Sequence, residues 1–158
     1  MFREMRRKGQ QIPQDECIRI LEQEKRATLS VNGDDGYPYS VPINYYYDSY
    51  ENAIFFHSAT KGHKTDAINN CDKVCFMVHD QGYRKDGDWS YFVTSVIIFG
   101  RASFVTDKQI KRDKLRLFGL KYFPETVDVE EELDSGMDRI NLVRIDIEHM
   151  TGKLVNER

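Results

Sequence analysis

Residues 55–64 read Phe-Phe-His-Ser-Ala-Thr-Lys-Gly-His-Lys. An apolar, strand-like run stops at His57. A small turn with Ser58, Ala59, Thr60, Lys61 and Gly62 follows, and Lys64 falls at the start of a short helix. That order suits a phosphate. The first N–H groups of a helix have no carbonyl partner, and hydroxyls and ammonium groups beside them add hydrogen bonds and charge. Lys64 is therefore either a phosphate ligand or a solvated helix lysine, and the preceding turn favours the ligand. Just upstream, Pro38 to Asp48 is aromatic and extended. Within it Asn44 is a polar amide among apolar and aromatic neighbours, and such a group needs a partner when buried. Tyr45, Tyr46 and Tyr47 can pack around a ring or serve as ordinary strand residues. Together these features point to a phosphorylated, flat-ringed cofactor. His57 is then either a satisfied core histidine or a group beside that ring.

The flanking pattern supplies the elements that must hold these residues. Residues 13–25 read as an amphipathic helix opened by Pro13, with Asp15 and Glu16 in its first turn. Ala27 to Asn32 alternates in strand period, and Gly33 to Gly36 is a hairpin turn. Tyr37 to Tyr47 returns as a strand that Pro38 and Pro42 restrict to an edge or a bulge. Ala53 to His57 is a third strand, and Lys61 to Asn70 a short helix. Lys73 to Asp80 alternates with Val74, Phe76 and Val78 on one side. Gln81 to Ser90 is a polar loop around Trp89, either a lid over a substrate mouth or a cover for an apolar patch. Tyr91 to Val105 is a long strand with Gly100 as a bulge or bend. Asp107 caps a helix to Tyr122 whose buried residues include Ile110, Leu115, Leu117 and Phe118. Phe123 to Asp138 is acidic and irregular, with one helical turn near Val129 to Leu133. Arg139 to Met150 closes as a strand. About six strands in hairpins with helices inserted between them describe one domain over residues 1–158, mainly β, a small barrel with peripheral helices. Neither a βαβα rhythm nor a GxGxxG turn is present.

The totals exclude several classes. The chain has 158 residues, 40% of them hydrophobic and 31% charged, as expected for a globular domain with a real core. A formal net charge of −3 leaves no global basic footprint for nucleic acid. The longest apolar runs, such as Val96 to Phe99, are too short to span a bilayer. No signal-peptide core follows the basic residues Arg3, Arg6, Arg7 and Lys8, so residues 1–10 read as a flexible arm or one that crosses a partner subunit. Cys17, Cys71 and Cys75 are odd in number, which fits a reduced, cytoplasmic protein. The spacing of Cys71 and Cys75 near His63 and His79 is wrong for zinc, and no metal site is expected.

Taken in order, six segments resemble one family: MRRK, GYPYSVPINYYYD, FFHSATKGHKTDAI, VCFMV, SVIIFGRA and RIDIEHMTGK. They are similar to the pyridoxamine 5′-phosphate oxidase-like flavoproteins, above all to the branch with the 5-nitroimidazole-resistance proteins. The resemblance runs from about Met5 to Lys153. It implies a split β-barrel that binds FMN, and a homodimer with two flavin sites at the subunit interface. It assigns phosphate binding to His57, Ser58, Ala59, Gly62 and Lys64, alongside the hydroxyl of Thr60 noted above. It lays Pro42, Ile43, Asn44 and Tyr45 along the flavin ring, and matches Ser95, Val96, Ile97 and Gly100 to a second motif. Thr151-Gly152-Lys153 matches the family's C-terminal signature. In some resistance proteins of that branch the histidine at the position of His57 is tied to the chemistry at the flavin face. The function implied is an FMN-dependent oxidoreductase that reduces a small electron-poor organic molecule with a nicotinamide donor. Barrels of this kind also serve as flavin- or haem-binding carriers or sensors without turnover.

Overall fold

The computed structural model describes residues 1–123 and 126–155. In chain order the elements are β1 (Gln11–Ile12), α1 (Gln14–Gln23), β2 (Arg26–Asn32), β3 (Pro38–Asn44), β4 (Tyr46–Asp48), β5 (Ala53–Ala59) and α2 (His63–Asn70). There follow β6 (Lys73–His79), β7 (Tyr83–Arg84), β8 (Tyr91–Phe104), α3 (Lys108–Tyr122), α4 (Thr126–Gly136) and β9 (Ile140–Val155). Among these described elements no helix is long and apolar enough to cross a membrane.

The main sheet is antiparallel, in the order β3-β2-β6-β8-β9-β5-β4. Its two edge strands, β3 and β4, are separated in sequence by Tyr45 alone. Consecutive Cα atoms lie only about 3.8 Å apart, so a sheet whose opposite edges share one linking residue must curl until those edges meet. The result is a barrel split along a seam at Tyr45. Here the backbone of Tyr45 leaves the ladders, and the hydroxyl of Tyr122 takes their place. It accepts from the Tyr45 N–H at 2.9 Å and lies 2.8 Å from the Tyr45 carbonyl and 2.7 Å from that of Lys25. The long strand expected over Tyr37 to Tyr47 is thus two strands serving opposite edges.

Alternation fills the barrel. Leu29, Val31, Phe56, Val74, Phe76, Val78, Val96, Ile98, Val143 and Ile145 are buried inside it, and α1 adds Cys17, Ile20 and Leu21. A second cluster lies outside β5 and β9, where Ala53, Phe55 and Leu142 meet Leu115 of α3 and Val129 and Leu133 of α4. Gly100 marks a shift in the β8–β9 register, as its type predicts; an added Cβ would press on Ile145 Cγ2 at 2.7 Å. Gly152 lets β1 and α1 approach β9, since a Cβ there would lie 2.6 Å from Ile12 Cγ1 and inside contact distance of Cys17 Sγ.

Several boundaries differ from the sequence reading. Pro13 is the extended residue before α1 rather than its first turn. Strand β5 runs two residues further, to Ala59, because β9 continues to pair with it. Helix α2 opens at His63, after Gly62 at φ 136°, a conformation that L side chains rarely adopt. The acidic stretch after Phe123 forms α4, eleven residues long, because Val129 and Leu133 dock on the second cluster and Arg112 and Arg116 neutralise Glu130 and Asp134. Residues 124 and 125 of that stretch lie outside the described residues. Ile110 and Leu117, expected inside, are 50% and 40% exposed, because α3 turns Leu115 and Phe118 inward instead. The N-terminal arm lies on its own sheet, with the Phe2 ring stacked on His149 at 4.6 Å and on Phe99 at 5.7 Å.

Candidate functional site

The seam brings the two predicted segments together. Strands β4 and β5 pair Tyr46 with Phe55. Continued by two residues in the same register, Asn44 would face His57. Instead β3 swings away to pair Asn44 with Arg26 of β2. Asn44 and His57 therefore stand on opposite lips of the split. Asn44 Oδ1 is buried there and has no hydrogen-bond partner among the described residues. A buried carbonyl oxygen without a donor costs about 1–3 kcal/mol, so the position calls for a ligand N–H.

Below this lip β5 ends and α2 begins. Among the described residues no side chain caps the α2 N-terminus. Gly62 has open space around it. Thr60 and Lys61 are exposed in the connecting turn. Lys64 is half-buried, with Nζ 5.5 Å from the centre of the Phe56 ring, and no carboxylate pairs with it among the described residues. Burial lowers its pKa. The hydroxyls here face the backbone: Ser58 donates to the Ala59 carbonyl at 3.1 Å, and Thr65 donates to the same oxygen at 3.2 Å. His63 stacks on Tyr39 at 4.1 Å and lies 3.5 Å from Asp34, fastening α2 to the β2–β3 turn.

His57 points away from the barrel interior. It is exposed, yet its ring meets Phe118 edge-on at 5.2 Å and lines a cleft of about 530 Å³ with α3 and α4. Although one edge of the side chain meets solvent, desolvation by the protein packed around the ring, and then the charge of Lys64, pushes its pKa below the ordinary 6.5. The neutral ring keeps one N–H to donate.

The remaining predicted residues divide. Pro42 is exposed on β3, whereas Ile43 is in the core. Tyr45 is fully buried, donates its hydroxyl to the Leu21 carbonyl at 2.9 Å, and carries Lys121 Nζ 4.0 Å from its ring centre. Its ring belongs to the barrel core. Tyr47 is likewise buried, donating to Asn52 Oδ1, and Tyr46 packs on the second cluster. Val96 is a core residue, because β8 alternates; its neighbour Ser95 is on the outer face between His79 and Lys153. Arg3, Met5, Ile97 and Thr151 surround Ser95 there. Trp89 is 83% exposed. The sequence reading missed Phe118 and Tyr122 as seam residues. Their i,i+4 spacing was the available signal, and they stack on each other at 5.1 Å.

A sheet curled to a seam, with helices around it and an unsatisfied lip, defines a split β-barrel protein. The sequence profile of the pyridoxamine 5′-phosphate oxidase family matches residues 13–154, and the chain belongs to that family. No curated protein matches it in sequence. Among solved structures, a candidate 5-nitroimidazole antibiotic resistance protein from Bacteroides thetaiotaomicron superposes with a TM-score of 0.78 at 20% identity, over 92% of this chain and 87% of that one. An FAD-binding protein from Mesorhizobium loti gives 0.65 at 20% identity, over 92% and 96% of the two chains. The FAD and haem binding protein from Mycobacterium smegmatis gives 0.75 at 17% identity, over 92% and 73%.

Proposed function

We propose that the chain is an FMN-dependent oxidoreductase that reduces a small electron-poor organic molecule, of the nitroimidazole type, with a nicotinamide as electron donor. It works in the cytoplasm as a homodimer with its two flavin sites at the subunit interface. The observation that carries this reading is a set of groups left unsatisfied around one seam. Among the described residues Asn44 Oδ1 has no donor, no side chain caps the α2 N-terminus, and no carboxylate pairs with Lys64. A flavin mononucleotide fits them: the pyrimidine edge offers N–H, and one terminal phosphate matches one helix start. Lys64, the α2 amides, Ala59, Thr60 and Gly62 would take the phosphate, whereas Ser58, buried with its hydroxyl given to the Ala59 carbonyl, supports the turn from below. Pro42 and Asn44 would lie along the ring, and Ser95 sits on the sheet face that a partner would share.

When bound, FMN supplies the hydride and electron transfer. The chain's own residues position and exclude. His57, kept neutral by desolvation of its ring and by Lys64, donates a hydrogen bond to the substrate beside the ring. Phe118 fixes the plane of that imidazole, and the α3–α4 wall keeps bulk water from one side of it.

Two measurements test the reading. Denaturing the purified protein and weighing the released chromophore should give FMN; recovery of FAD or haem alone rejects it. Anaerobic mixing of the oxidised protein with NADH or NADPH should bleach the flavin band, and a nitroaromatic acceptor should restore it. A flavin that neither nicotinamide reduces would make the protein a flavin- or haem-binding carrier or sensor instead.

A further inference from the structure

Helices α3 and α4 touch at Gly119, where an added Cβ would come 2.8 Å from Val129 Cγ1. Beside that contact lies the cleft of about 530 Å³, within the range of small-molecule sites. Its floor is apolar: Leu115, Phe118 and Leu133 are buried, and Met137 and Ile140 half-buried. Among the described residues its titratable lining groups are His57, Asp128 and Glu132. Four of the five acidic residues of α4 fall into two sets, Glu131 standing apart from both. Glu130 and Asp134 are bound by Arg112 and Arg116 on the far side. Asp128 and Glu132 are exposed at the cleft and have no cationic partner among the described residues. They stand at i and i+4 on one helix face, where like charges repel. An apolar floor below two unneutralised carboxylates calls for a ligand with an apolar body and a positive end.

We propose that this cleft binds a small organic cation, its apolar body against Leu115, Phe118 and Leu133 and its protonated amine between Asp128 and Glu132. The site is contained in one chain and uses none of the groups assigned to the phosphate or the flavin ring. His57 borders it, so a ligand held there meets the residue assigned above to the substrate. The binding itself does not depend on the flavin reading.

The test uses the protein as purified and three probes of one shape: 4-phenylbutylamine, 4-phenylbutanol and 4-phenylbutanoate. Calorimetric titration at low salt should rank the amine about tenfold tighter than the carboxylate, with the alcohol between, a difference of about 1.4 kcal/mol. Replacing Asp128 by Asn together with Glu132 by Gln should collapse that ranking and leave the alcohol's affinity unchanged. Met137→Trp should fill the cleft and abolish binding of all three. Equal affinity for amine and carboxylate, absence of binding, or binding that survives Met137→Trp would overturn the proposal. Should the Trp variant fold poorly, methyl resonances of wild-type Leu115, Leu133 and Met137 should shift on adding the amine; unmoved resonances reject the site. A protein that lacks FMN, or whose flavin no nicotinamide reduces, defeats the oxidoreductase reading while leaving these titrations interpretable.

Discussion

An ammonium group half out of water with no carboxylate beside it is destabilised, and Lys64 is in that state at the start of α2. A phosphate there restores the charge balance through charge-assisted hydrogen bonds worth about 1.5–3 kcal/mol. Lys64→Ala should therefore weaken FMN binding about 10- to 150-fold in a fluorescence titration while the fold survives. An unchanged affinity would put the phosphate elsewhere. His57 gives a pH prediction. Its pKa lies below the 6.5 of an ordinary imidazole, through burial first and Lys64 second. The unfolded chain takes up the proton near 6.5 and the native chain only at lower pH. Stability from this group is thus complete above that value and declines as pH falls through 6.5 toward the folded pKa. An NMR titration should place the His57 midpoint below 6.5, and Lys64→Gln should move it upward; no movement would remove Lys64 from its surroundings. Asn44 was legible in the sequence because an amide among aromatic neighbours needs a partner wherever the strand goes. The role of Tyr45 was not, since whether its ring faces a ligand or the barrel depends on the seam, which no local pattern encodes.

Elements are held together by a few contacts whose removal has predictable cost. Lys114 of α3 reaches Asp48 at 2.7 Å and pairs with Glu51, and its Nζ lies 5.2 Å from the centre of the Phe55 ring. Burial alone would raise the pKa of Asp48; the Lys114 hydrogen bond and the Glu51 and Tyr50 amides outweigh it and hold the carboxyl below its ordinary value. Lys114→Met leaves that buried carboxylate without a counter-charge and should cost about 3–5 kcal/mol in urea unfolding at neutral pH. The deficit should shrink as pH falls through the Asp48 pKa, where the carboxylate is neutralised in either protein. Gly152→Ala should push β1 and α1 off β9 and cost about 1–3 kcal/mol in the same assay, the usual range for an overpacked site. A wild-type melt would show the space is not needed. Strands β2 and β6 and helix α1 were readable because one face meets the core and the other does not. Helix α4 was obscured because its five carboxylates read as an irregular acidic stretch and become tolerable only once Arg112 and Arg116, more than ten residues upstream, neutralise two of them. The full length of β9 was hidden likewise: beyond Met150 it is held by pairing with β8 and β1, partners that lie far away in sequence.

At the scale of the whole molecule, the outer face of the sheet is the surface left to account for. Across β2, β6, β8 and β9 the registers align Thr28, Met77, Ile97 and Thr151 in one row and Ser30, Cys75, Phe99 and His149 in the next. Ile97 and Phe99 are 39% and 41% exposed in the middle of a central strand, with Phe2 of the arm laid over Phe99. A ring as broad as flavin needs walls on both sides, and a barrel open along one seam provides only one of them. A second copy meeting this face across a two-fold axis would cover the apolar row, and its edges reaching round to the seam would supply the other wall. Light scattering of the flavin-loaded protein should then give a mass near twice 18.6 kDa. Ile97→Glu places a charge where the single chain already meets water, so the thermal melt of the subunit should change little. The same charge would be buried between two copies, where an unpaired carboxylate is strongly unfavourable, so the variant should run as a monomer and lose its flavin together with its partner. A variant that stays dimeric and flavin-loaded would move the interface to another face, and a wild-type monomer that holds flavin tightly would end the shared-site reading altogether.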